Sequence, residues 1–207
     1  EFREGNHLVY PTAMRRALEL VTGENVQNFK NQNARAIAEH LCPVMFGNIY
    51  DYSAGYGGRL LGITASNMRY NYTGIDPNTE TIKYLNYLNT LVDNPGAIVQ
   101  NVSEDYQPED IDLAFSSPPY FNLEKYSDED TQCMVRYRTL DEWFSGYVEP
   151  TMENIYRGLN TQGLFATNIA DYKSYDRKEP YEVCERWIHT AEKVGFRFNG
   201  MIKMMLN

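Results

Sequence analysis

The sequence predicts an α/β fold, a central and mostly parallel sheet with helices on both faces. Two observations carry that reading. Short runs rich in β-branched and aromatic residues alternate with longer amphipathic stretches, the pattern of successive strand–helix units. Glycine- and proline-containing turns separate many of these runs, as connections require. With 207 residues, 43% of them hydrophobic, the chain is long enough for one domain with a substantial core.

Taken in order, two helices come first. Residues 11–23 begin at Pro11, place Met14, Ala17, Leu18 and Val21 on one face and stop at Gly23. Residues 33–43 repeat the pattern with Ala34, Ile37, Ala38 and Leu41 before Pro43. Alternation then sets in. Strands are predicted over 48–53, 72–76, 96–101, 111–116, 163–172 and 196–206, and helices over 58–68, 79–92, 140–159 and 180–194. Pro150 marks a break or restart in the long third helix of this series. The one long irregular stretch, 121–139, has the length of a functional loop. The expected organisation is a single catalytic domain, with an N-terminal helical segment over 1–45 and a core over 46–207. Beginning at Glu1 rather than Met, the chain reads as part of a longer protein.

Composition narrows the function. No run of about 18 apolar residues exists, so no membrane span is expected, and no signal peptide is visible. Cys42, Cys133 and Cys184 are sparse and scattered, as are His7, His40 and His189. That fits a reducing cytoplasm and argues against both a disulfide framework and a metal site. Net charge is −9, divided as −6 over 1–120 and −3 over 121–207. Any face for a polyanion must therefore be a local patch.

The strand at 48–53 runs into DYSAGYGGRL. Gly55, Gly57 and Gly58 sit between strand and helix, where the backbone turns tightly or approaches a ligand. The pattern lacks both GxGxxG and the Lys-Ser/Thr of a phosphate loop, which disfavours triphosphate chemistry. Asp51 stands at an apolar strand end, where a carboxylate needs a partner. Asp76 closes the second strand about 20 residues past the glycines, a position where an acid accepts ribose hydroxyls. An acid near the turn would repel a pyrophosphate and attract an ammonium. A nucleoside cofactor with an ammonium and a ribose diol fits, and S-adenosylmethionine has both. Ser53, Ala54 and Pro77 border this turn, and Ser103 and Glu104 follow the third strand, beside the adenine ring of such a cofactor. A solvated acidic loop is the competing reading for Ser103 and Glu104.

The fourth strand ends in Ser116-Ser117-Pro118-Pro119-Tyr120-Phe121. Proline cannot donate to a sheet ladder, so the chain turns outward at the strand's carboxyl end, where ligands bind in open α/β sheets. The order of glycine turn, acid after strand two and SPPY after strand four resembles the DNA amino-methyltransferases, over about residues 28–205. The resemblance implies a Rossmann-like class I methyltransferase with a seven-stranded sheet, using S-adenosylmethionine to methylate adenine N6 or cytosine N4 of an extruded base. It implies that Ser117 and the Pro118 carbonyl accept hydrogen bonds from the target amine. Pro119 stiffens the turn, Tyr120 stacks on the base and Phe121 is a second wall. Phe29 and Asn33 are placed to pack over the methionine part of the cofactor, with Ser116 also in the cofactor site. SPPY is more usual among cytosine-N4 enzymes. Cytosine-C5 chemistry needs a Pro-Cys nucleophile after strand four, and none is there.

Only about 58 residues separate the two motifs, too few to hold a target-recognition domain. Such a module must follow, be reduced to loop 121–139, or belong to another region or subunit. Arg136, Tyr137 and Arg138 form a basic-aromatic-basic triplet that could grip DNA, and Lys173, Arg177 and Lys178 lie on the same expected side. The setting would be the cytoplasm of a bacterium or of a phage-infected cell, with DNA as partner. Two alternatives stay open: the same transfer to RNA or a protein glutamine, and a cofactor-binding subunit without catalysis.

Overall fold

The computed structural model describes residues 28–123, 126–173 and 179–203. The helix predicted over 11–23 lies outside these residues, as do Arg177 and Lys178. The elements are α1 (Asn31–Leu41), β1 (Asn48–Asp51), α2 (Gly58–Thr64), β2 (Asn71–Asp76), α3 (Thr79–Asn89), β3 (Ala97–Gln100), β4 (Ile111–Ser116), α4 (Cys133–Arg136), α5 (Leu140–Trp143), α6 (Glu149–Gly158), β5 (Leu159–Thr167) and α7 (Val183–Val194). A 3₁₀ turn spans Ser103–Asp105.

The five strands pair in the order β3-β2-β1-β4-β5, all parallel. The chain builds outward from β1 through β2 to β3, then crosses to the other side of β1 for β4. The sheet therefore has its switch point between β1 and β4, and ligands of such sheets bind outside the carboxyl ends there. Successive side chains go to opposite faces. Ile49, Leu113 and Phe115 pack with Ala34, Ala38 and Leu60 of α1 and α2. Tyr50 and Ala114 pack on the other face with Ile155 of α6. Burial on both faces explains why these strands read as near-continuous apolar runs.

Helix ends follow local chemistry. Asn78 caps α3 by accepting the Thr81 amide at 2.8 Å. The helix stops at Asn89, three residues short of its predicted end, and the Asn89 side chain clamps Gly96 through the amide at 2.8 Å and the carbonyl at 2.7 Å. Thr139 and Glu142 form a capping box at the start of α5. Pro150 lies in the first turn of α6, the restart expected there, and a π-helical turn, Phe144–Val148, joins α5 to α6. Pro150 has no N–H to return to the Gly146 carbonyl four residues earlier, and the Tyr137 hydroxyl reaches that carbonyl at 2.8 Å.

Two strand expectations are corrected. β5 ends at Thr167 rather than 172, because Asn168 leaves the strand after its amide donates to Ser116 O at 2.9 Å. Among the described residues the sheet has five strands, not seven. After Phe196 packs on Phe165 and Tyr156 with ring centroids 5.0 and 5.1 Å away, residues 197–203 run exposed and outside any ladder. No helix among the described residues is long and apolar enough to cross a membrane.

Candidate active site

The glycine turn following β1 is held by its neighbours. Gly57 adopts φ +81°, and a Cβ there would meet Leu88 Cδ1 at 2.7 Å. The Gly58 amide donates to Asn28 Oδ1 at 3.0 Å, and a Cβ on Gly58 would come within 2.0 Å of the Phe29 carbonyl. The segment before α1 thus lies directly on the turn. Phe29 meets Phe115 edge-on at 5.6 Å, and the Arg59 guanidinium sits 5.5 Å from its ring centre. Asn33 lies half-buried in the first turn of α1. Asn28 escaped the sequence reading because its partner is 30 positions away.

Asp51 is fully buried. Its Oδ2 accepts from Arg59 Nε at 2.9 Å and from the Tyr72 hydroxyl at 2.8 Å, and its Oδ1 accepts from Ser116 Oγ at 2.6 Å. Arg59 also donates to the Ser53 carbonyl. The partner that Asp51 requires is therefore within the chain. Asp51 stands behind the turn, tying β1 to α2, β2 and β4, and Ser116 faces it rather than an open site. Ser53 Oγ donates to Tyr52 O at 2.7 Å and lies 3.2 Å from the Tyr147 hydroxyl. The Ala54 amide donates to Ile75 O at 2.7 Å.

Asp76 faces the turn from the end of β2. Its Oδ2 accepts the Gly55 amide and its Oδ1 the Asn78 amide, both at 3.0 Å. Burial pushes this carboxyl up to about 6 despite those two bonds. Gly55 has φ +54°, and the nearest atom to a Cβ there would be Ser53 O at 3.9 Å. Open space therefore begins at Gly55, beside a carboxylate with lone pairs to spare. That is a cradle a side chain would fill, and it suits a ribose diol. Pro77 follows, its carbonyl accepting from Gln100 Nε2 at 3.3 Å.

Beyond β3, Ser103 Oγ donates to Tyr52 O. Glu104 accepts from Arg136 Nη1 and lies against the Tyr137 hydroxyl, both at 2.7 Å. Burial holds the Glu104 carboxyl above the ordinary range. Arg136 reaches Asp105 as well, at 3.9 Å. Arg136 and Tyr137 thus bond to the acid that was expected beside adenine; Arg136 stays exposed, as do Arg138 and Lys173. Glu129, from the same loop, accepts the Thr79 amide at the start of α3 at 3.2 Å. Loop 126–139 is accordingly fastened over the β2 and β3 side of the sheet edge.

Across the switch point stands the SPPY turn. Pro118 is buried, and Ser117, Pro119 and Tyr120 are half-buried. Tyr120 meets Tyr172 edge-on at 4.8 Å, and its hydroxyl accepts the Ala170 amide at 3.1 Å. Tyr172 stacks on Tyr181 at 5.2 Å. Phe121 is buried and meets Tyr181 at 5.9 Å. Asn122 donates to the Tyr181 hydroxyl at 3.1 Å and accepts from the Tyr172 hydroxyl at 3.0 Å. Tyr172, Tyr181 and Asn122 were not singled out from sequence. Strand β5 and the start of α7 bring them to β4 across about 50 to 60 positions. Asn168 Nδ2 donates to Ser117 Oγ at 2.6 Å. Among the described residues no cluster of His, Cys, Asp or Glu is arranged to hold a metal ion.

No protein-family model and no curated protein matches the chain. Solved structures do. One is precorrin 8W decarboxylase from Methanobacterium thermoautotrophicum, with TM-score 0.54 and 15% identity over 83% of this chain and 76% of that one. Another is a SAM-dependent O-methyltransferase from Thermotoga maritima, with TM-score 0.51 and 14% identity over 85% of this chain. The present chain spans about half the length of the Thermotoga protein, 53%. At such identity the likeness establishes architecture alone: the chain has the Rossmann-like fold of class I methyltransferases.

Proposed function

We propose that this protein transfers a methyl group from S-adenosylmethionine to the exocyclic amino group of an extruded DNA base, cytosine N4 or adenine N6. The observation that carries the reading is the placement of Ser117-Pro118-Pro119-Tyr120 across the β1/β4 switch point from the Gly55–Asp76 cradle. The fold, and the SAM-dependent O-methyltransferase named among similar structures, support the cofactor. When bound, that cofactor supplies a methyl group already activated on a sulfonium.

The chain's own task is then positioning. The lone pair of an aromatic amine is delocalised into its ring and attacks poorly. Ser117 Oγ and the Pro118 carbonyl accept the two amino hydrogens, draw the nitrogen toward tetrahedral geometry and direct its lone pair at the methyl carbon. The Pro-Pro step holds the carbonyl rigid. Tyr120, braced by Tyr172 and by the Ala170 amide, offers the ring on which a base stacks. With that cofactor bound, the nitrogen would take the methyl group as its bond to sulfur broke, and one amino hydrogen would leave as a proton to water. Asp76 accepts the ribose hydroxyls.

A second acceptor class is favoured by two observations. Net charge is −9 and Arg136 is held by Glu104 and Asp105, which suits a glutamine amide better than a polyanion. The test is label transfer from isotopic S-adenosylmethionine to unmethylated duplex DNA, RNA and protein in parallel, with nucleoside mass spectrometry. N4-methylcytosine or N6-methyladenine is the expected product. Label in protein alone moves the acceptor to an amide. No label anywhere, with cofactor binding shown by calorimetry, overturns catalysis in favour of a binding subunit.

A further inference from the structure

We infer that Asn168 is the residue that makes Ser117 a hydrogen-bond acceptor, an inference that rests on the amino-methyl transfer proposed above. A serine hydroxyl has one hydrogen and two lone pairs, and free rotation lets it present either. For this chemistry the difference is decisive. A hydroxyl that donates its hydrogen to the incoming amine occupies the lone pair that must attack, whereas one that accepts an amino hydrogen frees it.

Asn168 biases the choice. Its Nδ2 donates to Ser117 Oγ at 2.6 Å, filling one lone pair. The Ser117 hydroxyl has the Asn168 carbonyl 3.5 Å away as acceptor for its own hydrogen. One lone pair is left for the substrate. The Asn168 main chain is itself fixed, because its backbone N–H donates to Ser116 O at 2.9 Å and the strands pair Ser116 with Thr167 immediately before it. Both residues are half-buried at the carboxyl edge of adjacent strands, so the pair faces the site. Asn168 is a positioning residue that acts through Ser117.

The variants are Asn168→Leu, of similar size with no polar group, and Asn168→Asp, which still orients the hydroxyl by accepting its hydrogen. Initial rates on duplex DNA are measured together with cofactor affinity by calorimetry and folding by circular dichroism. Asn168→Leu is expected to lower kcat roughly 10–100-fold, the scale of a misplaced catalytic contact, with KM and cofactor affinity within about threefold. In a Ser117→Ala background it is expected to add nothing. Asn168→Asp keeps most of kcat in mildly alkaline buffer and, with cofactor saturating at every pH, adds an acid limb to the kcat profile of the wild type. Unchanged kcat in Asn168→Leu overturns the assignment, as does an equal loss with and without Ser117. If Asn168→Leu does not fold, Asn168→Asp decides: at saturating cofactor, a kcat–pH profile that coincides with the wild type's overturns it. A wild type that transfers nothing to DNA is a separate result, which removes the underlying reading and this role with it.

Discussion

Asp76 Oδ2 accepts the Gly55 amide at 3.0 Å, so the acid closing β2 holds the glycine turn that follows β1. The same carboxyl is raised to about 6 from 3.8 by burial. Native protein therefore binds more protons than unfolded chain between those values. This group's contribution to stability is fully present below 3.8 and is lost as pH rises through about 6. Cofactor binding runs the other way, because an ionised carboxylate is the better acceptor for a diol. Affinity for S-adenosylmethionine should fall up to about tenfold per pH unit below 6. Asp76→Asn should stabilise the free protein at pH 8 by about 1–2 kcal/mol, the full gain being offset by loss of an acceptor for one of two amides, while weakening cofactor binding. Calorimetry and urea unfolding across pH 5 to 8 check both signs.

Arg59 and Asp51 form a buried ion pair, 5% and 0% exposed. Removing one partner strands a charge in a medium that cannot solvate it. Arg59→Met should cost about 3–5 kcal/mol in urea unfolding. Asp51→Asn added to it should recover part of that loss, since the stranded charge is gone while Tyr72 and Ser116 keep a polar partner. Additive losses in the double variant would show that the pair is not coupled.

What was legible in the sequence is what local chemistry decides. The glycine turn, the acid closing β2 and the proline stop after β4 are each set within a few residues, and the alternation of strands and helices follows from burial on both faces. Directions of side chains were not legible. Charge and ring content mark Arg136 and Tyr137 as interesting, but their pairing is with Glu104, which lies 32 and 33 positions away. The need of Asp51 for a partner was readable, yet Arg59 supplies it only because α2 starts where it does. Asn168 and Tyr172 meet the SPPY turn solely through the pairing of β4 with β5. The alternation of 196–206 suggested a strand, but alternation states which face is apolar and not which edge the segment joins.

Gly55→Ala separates fold from site. The residue lies at φ +54° with nothing closer than 3.9 Å to a Cβ. The backbone penalty is about 1–2 kcal/mol, modest for a domain of this size. The added methyl, however, projects into the space beside Asp76. A thermal shift of a few degrees with loss of cofactor affinity by at least about tenfold is expected, equivalent to about 1.4 kcal/mol of binding. Calorimetry showing wild-type affinity in a folded Gly55→Ala variant would place the cofactor elsewhere.

Tyr137 and Pro150 test whether the π turn is a repaired defect. The Tyr137 hydroxyl stands 2.8 Å from Gly146 O and 2.7 Å from Glu104 Oε1. It has one hydrogen for two acceptors. The conflict ends when Glu104 carries the proton: Glu104 then donates to Tyr137, and Tyr137 donates to Gly146. The burial-raised carboxyl favours that arrangement at low pH. Three outcomes follow in urea unfolding. Tyr137→Phe costs about 1 kcal/mol, the loss of one hydrogen bond to the half-buried Gly146 carbonyl. Pro150→Ala restores an amide four residues after Gly146, so Tyr137→Phe costs less in that background. Glu104→Gln cannot serve both neighbours, because Arg136 Nη1 and the Tyr137 hydroxyl meet the same oxygen, Oε1; it costs about 1–3 kcal/mol, and its stability is flatter with pH. A Tyr137→Phe cost that is unchanged by Pro150→Ala would mean that the hydroxyl serves Glu104 alone.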